Sequence, residues 1–174
     1  NAQDWEDLAI GACPNGDVHC LWIGDIGDNR RSRTSVQVIA VPEPSDDGDH
    51  TPDRMWSYEL TYSEGAMDAE ALLVSPDGQN LWVIEKKDGD STRIFGHGTR
   101  ALETNGRTVL EPIGDFDAPG LPIENGRMIT GADLHPGGRH VLVRVYSGIY
   151  LYTLPNPLEF SALGHSDPVT VTLG

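Results

Sequence analysis

Carboxylates stand at matched places in this chain. Asp4-Trp5-Glu6-Asp7-Leu8-Ala9 opens one apolar run and Asp68-Ala69-Glu70-Ala71-Leu72-Leu73 opens another, so Glu6 and Glu70 share an Asp-x-Glu setting sixty-four positions apart. A third run opens Ile129-Thr130-Gly131-Ala132-Asp133-Leu134, with Thr130 in the place of Glu70 and the acid, Asp133, moved along its strand. A glycine-punctuated loop, Gly24-Asp25-Ile26-Gly27-Asp28-Asn29, adds Asp25, Asp28 and Asn29. Carboxylates that converge repel, so either a cation sits among them or one of them takes up a proton. Hard oxygen ligands from several segments suit Ca²⁺ better than zinc or copper. The expected ligand set is Glu6, Asp25, Asp28, Asn29, Glu70 and Asp133, with Ca²⁺ as the expected cofactor. The loop does not follow the EF-hand pattern of alternating ligands and a distal Glu. Asp4, Asp28 and Asn29 also suit plain turn and cap roles.

A repeat must position these acids. Leu21-Trp22-Ile23-Gly24-Asp25 recurs as Leu81-Trp82-Val83-Ile84-Glu85 sixty positions later and as Val141-Leu142-Val143-Arg144-Val145 after sixty more. Each copy follows a turn, Pro14-Asn15-Gly16, Pro76-Asp77-Gly78 or Pro136-Gly137-Gly138, and each turn follows another apolar run. A long period with one hairpin per repeat predicts a repeat architecture. Four strands fit in each of residues 4–62, 68–116 and 128–174, which predicts an all-β protein of β-propeller type with three antiparallel blades. The apolar residues of Leu72-Leu73-Val74 and Val141-Leu142-Val143 are consecutive rather than alternate, which predicts burial on both faces of the sheet. Innermost strands line a propeller's channel, so acids at their starts would meet at one mouth. Three blades do not close a ring that takes about four to eight. The expectation is a fragment of a five- to six-bladed propeller, or half of one closed by a second copy. A helical turn at 158–163 is expected to be too short to matter.

The formal net charge of −15 argues against nucleic-acid backbones and anionic membranes as partners. No apolar run approaches the roughly 18 residues that span a bilayer. The chain lacks a starting Met and a charged-then-apolar leader, which suits a mature form, a trimmed form or a fragment. Cys13 and Cys20 bracket the first turn and are expected to form a disulfide across the hairpin mouth, which implies an oxidising compartment. Two buried free thiols are the alternative. Ser45-Asp46-Asp47-Gly48-Asp49-His50 reads as a solvated loop. Arg30-Arg31-Ser32-Arg33 reads as a hairpin tip that either binds an anion or is simply solvated. There is no Gly-x-Ser-x-Gly elbow and no phosphate-cradling glycine loop before a helix.

With those motifs in view, the chain resembles uncharacterised secreted bacterial β-propeller proteins. The likeness rests on Asp4-Trp5-Glu6-Asp7-Leu8-Ala9, Gly24-Asp25-Ile26-Gly27-Asp28-Asn29, Asp68-Ala69-Glu70-Ala71-Leu72 and Thr130-Gly131-Ala132-Asp133. The resemblance implies further blades on both sides and a secreted or periplasmic location. More distantly the chain is similar to the gluconolactonase and paraoxonase propellers, which hold calcium in the channel. Two functions follow as expectations. One is a binding or scaffold module whose partners are the missing blades or a second copy. The other is a calcium-dependent hydrolase of lactones or phosphoesters, with Glu6 or Glu70 as ligand and Asp133 as candidate base. Fold alone does not choose between them.

Overall fold

The protein is described by a computed structural model covering residues 2–172 apart from 17, 47, 50, 89, 90, 99–101 and 103–105. Asp47 and His50 of the polar loop therefore lie outside the described residues. The chain is all-β, with twelve described strands and one short 3₁₀ helix. The first four strands, β1 (Asp7–Ala12), β2 (His19–Asp25), β3 (Val36–Pro42) and β4 (Trp56–Tyr62), pair in order as an antiparallel meander. A second meander holds β5 (Ala69–Val74), β6 (Asn80–Glu85), β7 (Thr92–Gly98) and β8 (Arg107–Phe116). A third holds β9 (Ile129–Leu134), β10 (His140–Val145), β11 (Gly148–Thr153) and β12 (Val169–Val171).

The turn that closes the first hairpin of each meander is built alike. Gly16, Gly78 and Gly138 take φ of 78°, 65° and 72°. Their N–H groups donate to the carbonyls of Cys13, Ser75 and His135 at 2.7, 2.7 and 2.8 Å. Only glycine adopts that left-handed backbone without strain, so the same residue type recurs where the same turn recurs. At the first of these turns Cys13 and Cys20 are joined, with Cα atoms 4.9 Å apart.

The first strands β1, β5 and β9 lie against one another, which places the middle meander between the other two. Two cores result. Leu72 belongs to the core that holds Trp22, Tyr58 and Phe95, and its neighbour Leu73 to the second core with Trp82, Phe116 and Val143. Consecutive apolar residues in β5 thus serve opposite faces. The same pattern in Val141-Leu142-Val143 does not, because Leu142 remains exposed while its neighbours are buried.

Two local readings of the sequence need correction. The fourth strand of the second unit extends well past the apolar Thr108-Val109-Leu110 that alone reads as a strand in the sequence; β8 is ten residues long. Its far half pairs with β7 across a bulge where Phe95 faces Pro112 and Ile94 faces Gly114. A bulge is where a strand tolerates proline. Its near half, Arg107 to Leu110, pairs in parallel with β4 and fuses the first two meanders into one eight-stranded sheet. Arg107 donates to Glu59 at 2.6 Å across that seam. The turn near 160 also matters. Phe160–His165 forms the 3₁₀ helix, and buried Phe160 sets its ring 4.3 Å from that of Trp82.

Candidate functional site

The acids gather where the N-terminal strand begins. Asp25, the last residue of β2, is buried and accepts the N–H groups of Gln3 at 2.9 Å and Asp4 at 3.0 Å. It also pairs with Arg33 at 2.9 Å. Burial alone would raise its pKa, but those N–H groups and the guanidinium outweigh it and hold the carboxyl below its ordinary value. Its oxygens are taken up in holding residues 3 and 4 against the loop. Asp28 is spent similarly: its Oδ2 accepts the Arg33 N–H at 2.8 Å, and its own N–H donates to Asp68 at 2.7 Å. Asn29 is exposed and donates weakly to Asp4 Oδ2 at 3.4 Å.

Glu6 and Glu70 do come within reach of one another's charge. The pKa of Glu6 is pushed up to about 7, first by burial, then by Glu70 and Asp4, with only partial relief from Lys86. Glu70 is bonded directly to the Lys86 ammonium. That pairing, against the cost of burial, keeps the lysine more basic than usual. The repulsion expected between these carboxylates thus meets an ammonium at Glu70 and shows at Glu6 as a raised affinity for a proton. Gly27 lies under the acids, where a Cβ would come within 2.6 Å of Asp4 Oδ2 and closer still to Glu6 Oε1. A side chain there would displace both carboxylates.

This arrangement does not fit Ca²⁺. Among the described residues no three His, Cys, Asp or Glu side chains assemble as ligands of one metal ion. Glu70 carries an ammonium, Asp25 is occupied by its three donors, and Asn29 turns its amide N–H to a carboxylate. Asp133 is exposed on β9. Its charge acts on Asp7, and it lines the cleft beside that residue.

Asp7 is the residue that sequence reading passed over. Its Oδ2 accepts N–H groups from Leu72 of β5 at 2.9 Å and Ala132 of β9 at 3.3 Å, and its Oδ1 accepts that of Leu8 at 3.0 Å. One carboxylate therefore joins the first strands of all three meanders. Its pKa is raised because burial outweighs those three donors, with Asp133 adding to the rise. The available signal was an acid at the first position of a strand whose neighbours are apolar.

Beside Asp7 opens a cleft of about 720 Å³ between β1–β2 and β9–β11. Its walls combine apolar Trp5, Leu8 and Leu142 with Glu6, Asp133 and Arg144. Arg144 is held by Thr130, to whose Oγ1 and carbonyl it donates at 2.8 Å each. Compared with known proteins, the chain matches no family model and no curated sequence.

Proposed function

We propose that this chain is a segment of a β-propeller acting as a binding module, with the cleft between its first and third meanders as the binding face. One observation carries the reading. Strand β5 of the middle meander is buried on both sides, while the flanking meanders each turn apolar residues to that cleft, with Trp5 and Leu8 being 57 and 50 % exposed and Leu142 39 %. Exposed large apolar residues gathered on facing walls mark an interaction surface. The occupant that suits two such walls is further β-meander of the same kind, as already packs on both faces of β5. The Cys13–Cys20 bond supports folding in an oxidising compartment, and among the described residues no helix is long and apolar enough to cross a membrane.

Sedimentation velocity together with binding of an apolar fluorescent dye tests this. The expected outcome is either self-association or a dye-binding monomer, and Leu8→Glu with Leu142→Glu should abolish whichever is seen. A monomer that binds no dye, or behaviour unmoved by the two substitutions, overturns the reading.

A further inference from the structure

A second cavity, of about 380 Å³, lies between residues 28–36, the end of β4 and residues 65–67. Arg31, Ser32 and Arg33 of the arginine tract line it. Tyr62 is only 8 % exposed and packs edge-on against Phe95, with ring centroids 5.2 Å apart, yet its Oη has no hydrogen-bond partner among the described residues. Arg33 lines the same cavity. Its Nη1 donates to Asp25 at 2.9 Å and to the Gly27 carbonyl at 2.7 Å, but its buried Nε–H has no acceptor among the described residues. Buried donors are nearly always satisfied, and two unsatisfied ones on residues that line one cavity call for an acceptor atom from outside the protein.

The surroundings select the kind of acceptor. Asp28 and Asp68, 5 and 6 % exposed, both act on the Tyr62 hydroxyl by charge. The charge of Arg33 is already matched by Asp25, and Arg31 leans on Glu85 at 3.5 Å. With a net charge of −15 around it, an anion gains little here. A neutral hydroxyl does better, because it can accept from Arg33 Nε–H and Tyr62 and also donate towards the Asp28 carboxylate. Ser32 and Thr61 add hydroxyls to the lining.

We propose that this cavity binds a small neutral polyhydroxylated molecule of the sugar or polyol class. The site is separate from the cleft and does not depend on what covers that face.

The test records ¹H–¹⁵N spectra of the whole chain during titration with glycerol, glucose, galactose and mannose, and in separate arms with acetate and inorganic phosphate. One or more neutral compounds should shift the amides of residues 31–36 and 61–67 saturably. Tyr62→Phe, which keeps the ring and removes only Oη, should weaken that binding at least tenfold without lowering Tm. Leu142→Glu, in the cleft, should leave it unchanged. The proposal fails if no neutral compound shifts those amides, as it would if water alone fills the cavity. It also fails if only acetate or phosphate binds, or if Tyr62→Phe binds the neutral compound as tightly as the natural chain.

Discussion

In the middle meander every residue of β5 is buried, whereas β1 and β10 bury only alternate residues. Composition does not explain the difference, since Leu72-Leu73-Val74 and Val141-Leu142-Val143 are nearly interchangeable as apolar runs. Position does: β5 has a meander on each side, while the outward faces of β1 and β10 border the open cleft. An apolar run therefore records how many faces a strand is fitted to bury, and the neighbours present decide how many it does bury. The contrast extends to charges. Glu85, at the end of β6, is buried and gripped by Arg93 through two bonds of 2.8 Å, whereas Glu6, at the cleft, has no such ion pair among the described residues and its pKa is pushed up to about 7.

The largest expected effect lies in the middle meander. Arg93→Ala should destabilise the protein by about 3–5 kcal/mol, because it leaves the Glu85 carboxylate buried and unpaired. Arg31, 3.5 Å away on a half-exposed side chain, is too loosely held to replace it. Urea denaturation measures the loss. A cost under about 1 kcal/mol would show that Glu85 is rescued by water or a proton, and the middle meander would lose its distinction.

A direct contrast comes from one substitution made in two places. Leu72→Ala should cost about 2–5 kcal/mol, the range for emptying a filled core. Leu8→Ala, on the open face of β1, should stay within about 0.5 kcal/mol. The pair also reports on the cleft. If a partner covers that face, the Leu8 penalty should grow in its presence while the Leu72 penalty stays as it was.

The sequence marked much of this architecture because its signals are local. A Pro at one turn position and a left-handed Gly two residues later specify each hairpin from within four or five residues. Paired apolar neighbours in β5 foretold two cores in the same local way. The parallel seam between β4 and β8 was not legible, since it depends on how far β8 extends past β7 and on a bulge at Pro112. The acids were legible as a group but not in their chemistry. Nothing in the spacing of Glu70 and Lys86, or of Asp25 and Arg33, says that each carboxylate has a cation waiting across the fold. Asp7 was hidden for a related reason: the partners that tie it across the fold are backbone N–H groups of strands more than sixty residues away, and backbone groups leave no mark on a sequence.

The smallest predicted effect sharpens the contrast at Glu6. Its folded pKa of about 7 stands above its ordinary value, so the native state binds the proton more tightly than the unfolded chain. Stability from this group is therefore complete below about pH 4.5 and is lost as pH rises through about 7, the opposite of a salt-bridged carboxylate. An unscreened shift of that size would be worth about 3 kcal/mol, but water at the cleft mouth screens it, and about 1 kcal/mol is the expected swing. Glu6→Gln imitates the protonated acid and should be flat over the same window. The variant should match the natural chain near pH 4.5 and exceed it at pH 8, as read from urea midpoints. Asp7, whose pKa is also raised, bends both profiles alike and drops out of the difference. Parallel profiles for the two proteins would mean that Lys86 relieves Glu6 as fully as it does Glu70. The acids at the cleft would then resemble Glu85 of the middle meander, each settled by a cation rather than by a proton.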